Sequence, residues 1–131
     1  MKIFDCIIFN NENLLTKIRL NTLNSYVDYF VICESGEDHM GRKKNFKFNI
    51  DSVEKFRNKI IYLKLESFPK NLSGWQRQDY QRDFLLKGLS KADDNDIIIF
   101  SDADEIPNLT YFNEQHKRKN VRPENNKKNL S

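Results

Sequence analysis

DIIIFSDADEIP, residues 96–107, decides the fold. Ile97, Ile98, Ile99 and Phe100 make an almost unbroken apolar run. Such a run suits a strand buried on both faces, as in a parallel sheet. Asp102 and Asp104 follow it directly. In an open α/β sheet, ligands sit beyond the carboxyl ends of the strands. The order therefore places two carboxylates where a ligand belongs. Spaced one residue apart, they can share one hard divalent cation, Mn²⁺ or Mg²⁺. Such an ion prefers oxygen ligands and keeps waters or phosphates in its other positions. Ala103 is small enough for a diphosphate to come close, and Pro107 ends the segment rigidly. On these residues alone, a solvated acidic turn is an equal reading. Glu105 reads as a capping residue or as a support for the pair.

Upstream, short apolar runs alternate with helical patterns. The runs are Lys2–Phe9 (KIFDCIIF), Tyr29–Glu34 (YFVICE) and Ile60–Leu65, with Asp96–Ser101 as the fourth. A helix is expected over Glu12–Tyr26, capped by Asn10 or Asn11. Leu15, Ile18, Thr22, Leu23 and Tyr26 share one of its faces at a 3.6 period. Residues 35–50 read as a long loop. Asp51–Asn58 reads as a short helix with Val53 and Phe56 inward. Pro69 and Gly74 punctuate the next loop. Trp75–Leu89 then reads as a helix with an apolar stripe of Tyr80, Phe84, Leu85 and Leu89. Strand and helix in alternation are the signature of an α/β fold with a mostly parallel sheet flanked by helices. After Phe112 the pattern stops.

Composition sets bounds on this reading. The 131 residues allow one domain at most, and 38% apolar against 31% charged is enough to build a core. No apolar run spans a bilayer. The N-terminus lacks the form of a secretory signal, so a cytoplasmic location is expected. Cys6 and Cys33 lie in apolar runs and read as buried free thiols. The net charge of +3 is unevenly placed. Residues 113–131 carry six Lys/Arg and two Glu, which is +4 and leaves −1 for residues 1–112. The basicity is thus a tail, expected to be disordered, and no nucleic-acid groove is indicated.

Several ordered blocks carry a resemblance: FDCIIFN, LLTKIRLNTL, VDYFVICES, FPK at Phe68–Lys70, GWQRQDYQRDFLLKGL and DIIIFSDADEIP. From about Ile3 to Asn108 the chain resembles glycosyltransferase family 17. The resemblance implies a GT-A-like, Rossmann-like fold and a metal-dependent, inverting transferase. Its donor would be UDP-N-acetylglucosamine and its acceptor a mannose-containing glycan. It implies Asp102 and Asp104 as the metal and diphosphate ligands. It also implies Glu34, Asp79 and Arg82 as nucleotide-sugar contacts, where Arg82 could meet phosphates through bidentate bonds. Read as residues, Glu34 could instead pair with a nearby Lys, and Asp79 with Arg82 at i, i+3. Trp75 matches a family Trp and reads as core packing ahead of sugar stacking. Arg19 also matches and reads as one half of a structural ion pair.

The chain departs from the family pattern at Asn11, where the family usually has Glu. It departs again at Asp38 and His39, which replace a Thr-aromatic pair; His39 reads as an exposed loop residue. Twenty-seven residues follow Asp104, whereas the family continues well beyond this motif. The expectation is a nucleotide-sugar-binding half over residues 1–112, truncated after the strand that carries the motif. It would lack the acceptor contacts and the general base that transfer needs. Self-association through an uncovered sheet edge is then expected. Two readings of function stay open: a transferase, and a non-catalytic remnant that binds nucleotide-sugar or a protein partner. A phosphatase using Asp102 as nucleophile would need later strands bearing a Lys and further acids, and no such pattern follows.

Overall fold

Alternation with a period of two builds the centre of the protein. In Ile3–Phe9, the residues Ile3, Ile7 and Phe9 pack on one side of the sheet, and Phe4 and Cys6 on the other. In the neighbouring strand, Phe30 and Ile32 join the first side, and Val31 and Cys33 the second. A computed structural model gives the whole arrangement and describes residues 1–110. The elements are β1 (Ile3–Phe9), α1 (Asn13–Leu23), β2 (Tyr29–Ser35), a 3-10 segment (Ile50–Lys59), β3 (Ile60–Leu65), α2 (Gly74–Phe84), a 3-10 turn (Leu85–Leu89) and β4 (Ile97–Phe100). The four strands run in the order β3-β2-β1-β4. All three pairings are parallel, with Phe4 opposite Tyr29, Ile3 opposite Ile97 and Phe30 opposite Ile60. This is an α/β, Rossmann-like fold. The expected residues 113–131 tail lies outside the described residues.

Helix α1 and the 3-10 segment cover the first side of the sheet, with Leu20, Leu23, Val53 and Phe56 inward. Helix α2 and the turn after it cover the second, where Leu85 is buried. The segment with Val53 and Phe56 inward matches its expectation. The first helix does not. It ends at Leu23, and its buried residues are Thr16, Arg19, Leu20 and Leu23. Ile18 and Thr22 face solvent, and Leu15 is only half-buried. The buried row is set by what lies beneath it, an aspartate in β1 that selects Arg19. Neither Asn10 nor Asn11 caps the helix; Glu12 holds the cap position without a side-chain bond to the helix. Asn11 instead takes a left-handed backbone, φ 60°, which Asn tolerates better than most residues.

The last strand is also placed differently from expectation. Among the described residues β4 pairs only with β1; it is half-buried, and Phe100 is exposed. The strands buried on both faces are β1 and β2, which lie inside the sheet. An apolar run alone does not distinguish a strand with two neighbours from one with a single neighbour among the described residues.

Helix α2 begins at a capping box, in which Ser73 Oγ accepts from the Gln76 N–H and Gln76 Oε1 accepts from the Ser73 N–H. It ends at Phe84 and tightens into 3-10, shorter than expected. Its inward residues are Gln81, Leu85 and Gly88, while Tyr80 is exposed. Trp75 is not a core residue: it is 78% exposed. Gly88 is required by close approach, since a Cβ there would lie 2.4 Å from Val31 Cγ1. Gly88→Ala should therefore cost about 1–3 kcal/mol by overpacking. A lowered urea midpoint with unchanged slope would show this, and an unchanged midpoint would contradict it.

Candidate nucleotide-sugar site

A cleft of about 770 Å³ opens at the carboxyl ends of β1 and β4. That size lies within the usual range for small-molecule sites, about 300–1,000 Å³. β1 and its following loop contribute Cys6, Ile8, Asn10 and Glu12. Helix α2 contributes Gln78, Arg82 and Asp83, and the far wall is Phe100 through Glu105. His39 reaches in from the loop after β2.

The acidic turn is built around one buried side chain. Asp5 falls on the α1 side of β1 by the alternation of the strand, and Arg19 lies on the buried row of α1. Both are fully buried, and their side chains pair in parallel: Arg19 Nε donates to Asp5 Oδ2 at 2.8 Å and Nη2 to Oδ1 at 2.8 Å. The rest of the guanidinium holds the turn. Nη2 donates to Ser101 Oγ at 2.5 Å, and Nη1 to the carbonyls of Asp102 at 3.1 Å and Glu105 at 2.5 Å. All five N–H groups of the fork thus have acceptors. The turn closes with the Glu105 N–H on the Asp102 carbonyl, 2.9 Å, and Asp102 N–H on Glu105 Oε1, 3.2 Å. Ala103 is buried between Asp102 and Asp104, which are exposed on the cleft.

The turn presents two exposed carboxylates as oxygen donors. Among the described residues, no three His, Cys, Asp or Glu side chains form a closed metal centre. Two exposed carboxylates on a rigid turn fit an ion that keeps waters and takes phosphate oxygens, as Mg²⁺ and Mn²⁺ do.

The other expected residues divide. Arg82 lines the cleft with the two aspartates, whereas Asp79 and Glu34 do not. Asp79 is exposed, and among the described residues it forms no ion pair with Arg82. Glu34 is fully buried; its carboxylate accepts from the Lys47 N–H at 2.6 Å, the Phe48 N–H at 3.0 Å and the Tyr62 hydroxyl at 2.7 Å. It pairs with the backbone of Lys47, so it anchors the long loop to the sheet. Burial, then the bond to Glu34, pushes the Tyr62 phenol above its ordinary value.

His39 is half-buried, not a free loop residue. Its Nε2 lies 3.1 Å from Gln81 Oε1, and its carbonyl accepts from Arg77 Nη1 at 3.0 Å. Asp38 makes the turn that brings it there, accepting from the Met40 and Arg42 N–H groups and from Arg42 Nε. Those bonds, the Arg42 N–H first, hold the Asp38 carboxyl below its ordinary range. Gly41 completes the turn at φ +83°. Sequence reasoning missed Gln78, Asp83, Asn10 and Glu12 as cleft residues, because polar residues in helices and loops carry no mark of which neighbour they face. The Arg19 clamp was half visible: a lone Asp at an inward strand position needs a buried cation.

The sequence model of glycosyltransferase family 17 matches residues 1–117. The chain belongs to glycosyltransferase family 17. Its similar curated relatives include the β-1,4-mannosyl-glycoprotein 4-β-N-acetylglucosaminyltransferases of Rattus norvegicus and Homo sapiens. Each is 34% identical over 116 residues, covering 81% of this chain and 22% of the relative. The family 17 chain thus spans about a fifth of the length of the curated relatives it matches. No solved structure matches it significantly. Among the described residues, no helix is long and apolar enough to cross a membrane.

Proposed function

We propose that this family 17 chain forms the donor-binding part of a nucleotide-sugar transferase. The observation that carries the reading is the placement of Asp102 and Asp104, both exposed on one cleft at the carboxyl end of β4. The donor is UDP-N-acetylglucosamine. Asp102 and Asp104 hold a divalent cation, Mn²⁺ or Mg²⁺, together with the diphosphate, and Arg82 faces the phosphates from α2. When bound, such an ion offsets the charge that builds on a departing diphosphate. The protein's own part is to fix the two carboxylates. Arg19 does so by holding the turn from inside, so that the pair is in place before the donor arrives. Glu34 acts one layer away by setting the loop after β2. The curated relatives are named for transfer of N-acetylglucosamine to a mannosyl glycoprotein. The activity proposed for the whole protein is the same transfer, in the inverting, β-forming sense.

Titration calorimetry of UDP with and without Mn²⁺ tests the donor site. Binding should require the metal. Asp102→Asn and Asp104→Asn should each weaken it by at least about 10–100-fold, the range that losing even an outer support of a metal site reaches. Unchanged metal-dependent affinity in both variants would remove the pair from the site.

A further inference from the structure

The exposed Trp75 stands in line with the cleft. Gln78 and Arg82 line the cleft from α2, and Trp75 lies three and seven positions before them. Seven residues are almost two full helical turns, so Trp75 continues their row about 10 Å beyond Arg82 toward the helix start. Trp75 is 78% exposed. Its backbone is fixed. The Ser73 capping box sets the first turn, Gly74 lies against the His39 carbonyl, and Arg77 donates to the same carbonyl at 3.0 Å. The backbone of Trp75 is therefore held on the row that leads out of the cleft past Gln78, with the aromatic side chain open to solvent.

Its neighbours indicate what it takes. Gln78 and Asp79, at i+3 and i+4, are the side chains next to it on the helix surface. An amide and a carboxylate bond sugar hydroxyls well. The carboxylate accepts from neutral hydroxyls, while Arg82, the one guanidinium lining the cleft among the described residues, lies farther along the helix. We propose that Trp75 is the floor of a pyranose subsite. One apolar ring face of an acceptor sugar would lie on the indole, with Gln78 and Asp79 bonding its hydroxyls. The proposal rests on the transferase reading for its acceptor but not for its test.

Trp75 is the sole tryptophan of the chain, so its fluorescence reports this point alone. The full chain is titrated with branched mannotriose, and separately with UDP and Mn²⁺. A saturable shift with mannotriose is expected, and none with UDP. By calorimetry, Trp75→Ala should lower mannotriose affinity about tenfold, the scale of one lost aromatic contact. Trp75→Phe should retain most of it. Both variants should keep native UDP affinity. A shift with UDP in place of mannotriose overturns the subsite, because the ring then stacks on the base. No shift with either ligand overturns it too. Loss of UDP binding with an intact mannotriose response would strike the donor site and leave the subsite standing.

Discussion

Replacing Arg19 with methionine should destabilise the fold by about 3–5 kcal/mol, the cost of breaking a buried ion pair from one side. Total stability is typically about 5–15 kcal/mol, so the variant would lose a large part of it. The substitution keeps the apolar volume on α1, so the loss is electrostatic. It leaves Asp5 fully buried with an unpaired charge, and the carbonyls of Asp102 and Glu105 each lose the bond from the guanidinium. Urea unfolding followed by circular dichroism reads the difference; a loss below about 1 kcal/mol, the net worth of one ordinary hydrogen bond, would show that the pair is not structural. Adding Asp5→Leu should recover part of the loss, since a matched apolar pair can replace a buried ion pair. It should not recover the metal-dependent affinity for UDP, because the turn would still lack its clamp. Arg19→Lys is not conservative: an ammonium has three donors and no planar fork.

The order of elements was legible because strands and helices differ in period. β1, β2 and β3 fall on their expected runs, since β-branched and aromatic residues mark them. Helix faces were less legible. On α1, Ile18 is exposed while Arg19 is buried, the reverse of what hydropathy assigns. A buried charge is favourable only where a partner waits, and that partner, Asp5, is fourteen residues away in the chain. Helix α2 inverts the rule twice, with Gln81 buried and Trp75 exposed. Gln81 is inside because it lies 3.1 Å from His39 Nε2 and donates to the Cys33 carbonyl at 3.4 Å. The position of Asp102 and Asp104 at the cleft was legible from their place after an apolar strand. Glu34 could not be assigned from sequence, because its buried partners are two backbone N–H groups of a loop and the Tyr62 hydroxyl.

The two thiols predict a steep loss of stability in alkali. Cys6 and Cys33 are buried and free. Burial is the main cause that pushes each thiol from 9.0 up to about 12. The charge of Asp5 adds to this for Cys6; at Cys33 the hydrogen bond from Gln81 opposes it and the charge of Glu34 adds to it. The unfolded chain ionises near the ordinary value, whereas the folded chain keeps both protons until about pH 12. Below pH 9 both states hold the protons, and the contribution to stability is fully present. Between about pH 9 and 12 the folded state binds more protons than the unfolded one, so stability falls as pH rises. Urea midpoints measured from pH 7 to 11 should therefore hold steady at first and drop beyond pH 9. Cys6→Ala and Cys33→Ala should each begin less stable at pH 7, through the cavity they leave. Each should then lose less on going to pH 11, because one of the two titrating groups is gone. A slope above pH 9 that is the same in both variants as in the native chain would assign the alkaline loss to other groups. Consistent with the same burial, iodoacetamide should not label either thiol at pH 8 until the chain is unfolded, because the reactive species is the thiolate.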